Sequence, residues 1–205
     1  LYDVPNFRTK INLLKYFLEK EDEVRKVMIF TRTKVNADNI FKFIGRKGGG
    51  NVRVIHANKG QNTRINAMND FKEGQIRILV ATDVAARGID VSQVSHVINF
   101  DVPILYEDYV HRVGRTGRAN QTGTAITFCT PPEKYHIAKI EKLIRMSIPV
   151  VPLPEGVLVE NTGFEEQQEM ARELDDQKRK DDPNFKGAFH EKKNIFSTDK
   201  SKAKS

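Results

Sequence analysis

Apolar and polar positions in this chain follow two periods that take turns along its length. Residues 9–19 place Ile11, Leu14, Phe17 and Leu18 on one side of a 3.6-residue repeat, which predicts an amphipathic helix. Residues 27–31, Val-Met-Ile-Phe-Thr, are an apolar run too short for a helix and read as a buried strand. The pattern then repeats. A helix is predicted over 35–46 (Ile40, Phe41, Ile44), a strand over 52–55 and a helix over 61–71 (Ile65, Met68, Phe71). Strands over 76–81, 96–100 and 123–129 follow, with a helix between the last two, and a final helix over 133–145 carries Ile137, Ile140, Leu143 and Ile144. Strand and helix alternating in this way predict an α/β domain whose largely parallel sheet is covered on both faces.

Beyond the proline-rich stretch at 149–154 the character changes. Residues 165–180 are dominated by charged and amide side chains, with Phe164, Met170 and Leu174 as a thin apolar face, and read as a solvated helix. After Asp182 the chain is polar and lysine-rich, with Phe185, Phe189, Ile195 and Phe196 isolated from one another, too little apolar surface to offset the entropy of ordering. The expected organisation is a domain over 1–154 and a charged tail over 155–205, helical at first and then mobile. Spaced aromatics and lysines suit stacking on bases and contact with phosphates, and equally suit a solubilising linker.

Charge sharpens the division. The chain has 34 Lys and Arg against 27 Asp and Glu, net +7; residues 161–205 hold ten of each, so the whole excess lies in the predicted domain. A basic domain beside a neutral tail suits a polyanionic partner. The single cysteine, Cys129, excludes an intramolecular disulfide and a cysteine metal cluster. No apolar run approaches a membrane span and no secretory leader pattern is seen, so a cytoplasmic protein without membrane contact is expected.

The densest chemistry lies at residues 109–118, Tyr-Val-His-Arg-Val-Gly-Arg-Thr-Gly-Arg, with three arginines and one histidine in the last eight. If the helix predicted before it continues to Gly117, His111, Arg115 and Arg118 share one face. Like charges so placed cost about 0.2–0.5 kcal/mol per pair unless an anion offsets them. Arginine forks bind phosphate oxygens, and Gly114 and Gly117 remove side chains that would hold a ligand away. A second cluster follows the strand at 76–81: Thr82, Asp83, Ala85, Ala86, Arg87, Gly88 and Asp90. The carboxyl end of a parallel strand is where an open α/β sheet binds its ligand. Asp90 is suited to ribose hydroxyls or an arginine, and also to a helix cap or an ion pair with Arg87.

Residues 81–90 (Ala-Thr-Asp-Val-Ala-Ala-Arg-Gly-Ile-Asp) and 111–118 (His-Arg-Val-Gly-Arg-Thr-Gly-Arg) resemble motifs V and VI of the DEAD-box RNA helicases. Residues 27–34 resemble motif IV, and Gln61-Asn62-Thr63-Arg64 resembles the Gln-x-x-Arg element, in the family's order. The histidine that opens motif VI favours the DEAD-box group over related superfamily 2 DNA helicases, which tend to carry glutamine there. One departure is His56-Ala57-Asn58, where the family usually has His-Gly-Asp. The tail bears a faint likeness to bacterial RhlE-type members.

The resemblance covers only the second of the family's two RecA-like domains and implies a three-layer α/β/α fold. Neither a Gly-x-x-x-x-Gly-Lys-Ser/Thr phosphate loop nor an Asp-Glu-Ala-Asp element occurs in these residues; Gly48-Gly49-Gly50 lacks the Lys-Ser/Thr and reads as a turn. The resemblance therefore implies that ATP and Mg2+ are held mainly by the N-terminal RecA-like domain of the same protein, and that this chain alone hydrolyses no ATP. It implies that Arg115 and Arg118 act as arginine fingers at the ATP γ-phosphate, that His111 meets the partner domain's catalytic carboxylates, and that Asp90 meets the ribose. Arg87 and Arg112 would support the interdomain face. Thr33, Arg64, Thr82 and Gly88 would hold the RNA backbone.

His56 and His96 stand at the ends of apolar segments and read as structural. No pattern suggests a metal site or a nucleophile with its base. Two other readings remain: a non-catalytic RNA-binding module, which has no reason to keep both Arg115 and Arg118, and a protein-docking domain that uses the charged face of residues 165–180.

Overall fold

Every strand of the sheet runs in the same direction. The computed structural model describes residues 1–20, 24–46, 51–87, 94–116, 123–182 and 184–187. In chain order these form β1 (Tyr2–Asp3), α1 (Phe7–Lys20), β2 (Val27–Thr31), α2 (Lys34–Arg46), β3 (Val52–Ile55), α3 (Gln61–Lys72), β4 (Ile78–Thr82) and α4 (Asp83–Ala86). There follow β5 (His96–Asn99), α5 (Tyr106–Val113), β6 (Thr124–Cys129), a 3-10 turn (Pro131–Glu133), α6 (Lys134–Ile144) and α7 (Phe164–Asp181). The six strands lie in the order β1-β6-β5-β2-β4-β3, each pair parallel.

Strand alternation sends successive side chains to opposite layers. Val27 and Ile29 of β2 and Ile78 and Val80 of β4 face α1 and α2, where Leu13, Leu14, Phe17, Ile40 and Ile44 cover them. Met28 and Phe30 of β2 and Leu79 and Ala81 of β4 face Met68 and Phe71 of α3 and the small residues of α4. Beyond the edge of this second layer, α5 and α6 pack through Tyr109, Ile137 and Ile140 onto Val102 and Cys129. The three-layer RecA-like fold expected from the sequence is present.

Local chemistry fixes the helix starts. Asn6 caps α1 by accepting the Thr9 amide at 2.8 Å, and its side-chain amide donates to the Glu160 carbonyl at 2.6 Å. Thr33 caps α2 through the Asn36 amide at 3.0 Å. At the far end of α3, Gly74 turns the chain with φ +77°, a conformation that glycine adopts without a Cβ clash.

Several expectations need correction. The helix of residues 106–117 stops at Val113. Gly114 caps it with φ −63°, the Arg115 and Thr116 amides close tight turns onto Arg112 and Val113, and Thr116 bridges to Val94. A Cβ on Gly114 would lie 3.1 Å from the Val110 carbonyl oxygen, so this glycine admits the turn as well as any ligand. The short elements β1 and α4 and the 3-10 turn give no periodic signal and were not expected. In α7 the best-buried residues are Asp175 and Gln177, while Phe164 is 74% exposed; the helix seats itself through polar groups rather than through its apolar face. Gly48-Gly49-Gly50 and residues 188–205 lie outside the described residues.

Candidate functional site

The carboxyl ends of β2, β4 and β5 meet at the point where the chain reverses its order of adding strands, the usual ligand position in such sheets. Arg112 is the side chain that joins these ends. It projects from α5 and is 1% exposed. Its Nε and Nη2 donate to the two carboxylate oxygens of Asp83 at 2.6 and 2.7 Å, and its Nη1 donates to the Asn99 side chain at 3.1 Å and the Asp101 carbonyl at 2.6 Å. The guanidinium stacks over Phe30, 5.1 Å from the ring centre. A charge this deep is tolerable because its donors are paired and its partner is a carboxylate in fork geometry.

Arg112 thereby sets the height of α5 against β4. The next turn of the helix faces a cleft of about 220 Å3 lined by Phe30, Asp83, Arg87, Asp108, His111 and Arg115. Asp108, buried, accepts Arg87 Nη2 at 2.8 Å on one oxygen and Nε at 3.3 Å on the other, and lies 3.8 Å from His111 Nδ1. Arg115 Nε donates to the His111 carbonyl at 3.2 Å, an acceptor left over where the helix tightens into a turn. Arginine 87, His111 and Arg115 therefore converge on one opening. Arg118, Asp90 and Gly88 lie outside the described residues, and so does the proposed pairing of Asp90 with Arg87.

Of the residues expected to hold RNA, Thr33, Thr82 and Arg64 lie along the same sheet edge. Thr31 of β2 is in register with Thr82 of β4, and Thr33 follows two residues on, so Thr33 and Thr82 stand at neighbouring strand ends. Arg64 reaches across from α3, its Nη2 donating to the Ala85 carbonyl at 3.3 Å and its Nη1 to Gln61 at 3.2 Å. Its buried Nε has no partner among the described residues. Thr33 is exposed and Thr82 nearly buried.

His56 and His96 are structural. His56 is 2% exposed, its Nε2 lies 3.1 Å from Asp38, and its Nδ1 accepts the Asn58 amide at 3.3 Å. His96 meets the Ser95 hydroxyl at 3.1 Å.

Sequence reasoning missed a second buried ionic centre beside the site. Lys10 of α1 donates to Asp101 at 3.1 Å and to Glu133 at 2.8 Å. Glu133 also accepts the Val102 amide at 3.0 Å and the Thr130 amide and hydroxyl at 2.8 Å each, and Asp101 accepts the Arg32 amide and Asn36 side chain at 3.1 Å. Burial pulls the Lys10 ammonium down, but the Glu133 and Asp101 charges outweigh it and hold its pKa above the ordinary value. Burial likewise pushes Asp101 up, and Lys10, Asn36 and Arg32 overcome it and hold the carboxyl below its usual range. The three residues are far apart in the chain, and no local spacing signals them. Asp108 was also missed, although it sits three residues before His111 on one helix face. Among the described residues no group of three or more His, Cys, Asp or Glu could hold a metal ion, and no helix is long and apolar enough to cross a membrane.

Residues 9–120 match the helicase conserved C-terminal domain family. The chain is similar to the ATP-dependent RNA helicase dbp3 of Schizosaccharomyces pombe, 45% identical over 146 residues that cover 71% of this chain and 25% of that protein. It is 50% identical over 129 residues to the ATP-dependent RNA helicase dbp2 of Sclerotinia sclerotiorum, covering 62% of this chain and 22% of the relative. The chain thus spans about a quarter of the length of these curated relatives. In structure it is similar to the E. coli DEAD-box protein SrmB bound to the regulator of ribonuclease activity A, at TM-score 0.71 and 31% identity over 79% of this chain and 94% of that one. The C-terminal domain of the DEAD-box protein Dbp5 gives TM-score 0.67 and 31% identity over 74% of this chain and 88% of that one. The RhlE-type likeness of the tail finds no support, since these sequence relatives are fungal.

Proposed function

We propose that this chain, which belongs to the helicase conserved C-terminal domain family in its DEAD-box branch, supplies one wall of the ATP site and part of the RNA grip of an ATP-dependent RNA helicase. The observation that carries the reading is the convergence of Arg87, His111 and Arg115 on a single opening at the carboxyl ends of the strands, with Arg112 buried beneath as their anchor. Three nitrogen-bearing side chains around one opening suit a polyphosphate.

In this reading residues 1–154 are the domain and 155–205 an appendage. The N-terminal RecA-like domain of the same protein holds most of ATP and its Mg2+ and closes against this face when RNA binds. Arg115 and Arg118 stabilise charge on the transferring γ-phosphoryl group; loss of such an arginine lowers the rate by about 10³ or more. His111 meets the partner domain's carboxylates, so that closure and hydrolysis are linked. Asp90 accepts the ribose hydroxyls. Asp83 and Asp108 are already bound to Arg112 and Arg87, which suits them to fixing the cations rather than to holding a metal.

Thr33, Thr82, Arg64 and Gly88 line the backbone path. Contacts to phosphate and sugar give little sequence preference, and contacts to 2′-hydroxyls favour RNA over DNA. Domain closure bends the bound strand, and a bent strand cannot stay paired. In the full-length protein, Arg115→Ala or Arg118→Ala should abolish RNA-stimulated ATP hydrolysis while RNA affinity is largely kept. Full hydrolysis by either variant would overturn the assignment of arginine fingers.

A further inference from the structure

Helix α7 bridges a cleft at the side of the domain. It is pinned by polar contacts: Glu166 accepts the Phe7 amide at the start of α1 (2.7 Å), Gln177 donates to the Pro132 carbonyl (2.9 Å), and Asp181 accepts from Tyr135 (3.1 Å). Between these pins lies a space of about 570 Å3, with Arg32, Thr33, Asn36 and the Lys10-paired Asp101 on one wall and Glu166, Glu169 and Glu173 on the other. The cations lining this space are Lys10 and Arg32, and Lys10 is already spent on Asp101 and Glu133. Arg32 thus faces the acidic side of α7, its Nη1 3.6 Å from Glu173, with its Nη2 3.7 Å from Glu133.

Arg32 also stands directly before Thr33, a residue of the backbone path, and before the N-terminus of α2, where Thr33 already caps the Asn36 amide. The partial positive charge of a helix start and an arginine fork together favour an oxyanion. Glu173 now lies against the Arg32 fork, and a phosphodiester cannot share that fork with it without like-charge repulsion.

We propose that the cleft beneath α7 is a further phosphodiester subsite of the RNA path, with Arg32 as its ligand, and that Glu173 holds that ligand in this conformation, so that RNA and α7 compete for it. The inference rests on the RNA reading above. Because α7 is held by polar pins with little apolar burial, its release exposes no core.

The test is the affinity of the full-length protein for a fluorescent oligouridine, measured by anisotropy at one fixed salt concentration. Glu173→Gln should tighten binding by about threefold to tenfold, as expected when a competing charge leaves a binding surface. Arg32→Ala should weaken it, and adding Glu173→Gln to Arg32→Ala should then gain nothing; Arg32→Lys, which keeps the cation, should fall between. Glu165→Gln makes the same charge change at an exposed position outside the cleft lining and should leave affinity unchanged. Equal tightening by Glu165→Gln, or no change with Glu173→Gln, would overturn the proposal. Arg64→Ala separates the two levels: if it weakens binding while Glu173→Gln has no effect, only the α7 proposal falls, and if neither Arg64→Ala nor Arg32→Ala matters, the RNA reading falls with it.

Discussion

Arg112 and Asp83 form a bidentate ion pair, 2.6 and 2.7 Å long, that fastens α5 to the carboxyl end of β4. Both residues belong to the cleft wall, with the Arg112 side chain almost wholly covered. Its place explains why an arginine in a cation-rich segment can be 1% exposed: it holds the frame, while His111 and Arg115, one residue before and three after, face the opening.

Removing Arg112 leaves the Asp83 carboxylate, 17% exposed, without its partner, and the Asn99 and Asp101 oxygens without their donor. Arg112→Ala should cost about 3 kcal/mol of stability, the low end for breaking a buried pair, because solvent reaches Asp83. Urea unfolding of the variant against the parent checks this, and a loss below about 1 kcal/mol, the range of surface pairs, would show that the pair is not buried in solution.

The Lys10, Asp101 and Glu133 centre makes stability depend on pH in a defined window. Asp101 has its carboxyl held down from 3.8, so its contribution is present above that value and lost as pH falls through the lower folded pKa. Lys10 has its ammonium held up from 10.5, so its contribution is present below that value and lost as pH rises through the higher folded pKa. For these two groups stability should be flat between the limits and fall at both ends. In Lys10→Met both dependences should shrink, as followed by thermal unfolding across pH.

Cys129 should be inert in the folded state. Burial, with Glu133 and Asp3 nearby, pushes its thiol up to about 12, and the thiolate is the reactive form. A thiol reagent at neutral pH should label it only as fast as the domain opens. Rapid labelling without denaturant would place this edge of β6 in solvent.

Strands β2 and β4 were legible as nearly unbroken apolar runs, and both are buried at every position as such runs require; the two-residue β1 was too short to show. Helices α1, α2 and α6 were legible from their period. The end of α5 was not, because the charge spacing of His111 and Arg115 continues past Val113 while Gly114 and the Thr116 bridge to Val94 end the helix. The sequence marked His111, Arg112 and Arg115 as one cluster, yet nothing local separates the buried arginine from its exposed neighbours. That distinction comes from Asp83 and Asn99, on two other elements. The position of α7 was hidden for a similar reason: it docks through Glu166, Glu173 and Gln177, residues that read as solvated by composition.

RNA-stimulated ATP hydrolysis can be measured for this chain mixed with the separately purified N-terminal RecA-like domain of its own full-length protein, each half alone as control. Hydrolysis should appear only in the mixture and disappear when this chain carries Arg115→Ala. Hydrolysis by the N-terminal domain alone at the rate of the mixture, or a mixture indifferent to Arg115→Ala, would contradict the claim that this chain completes the ATP site.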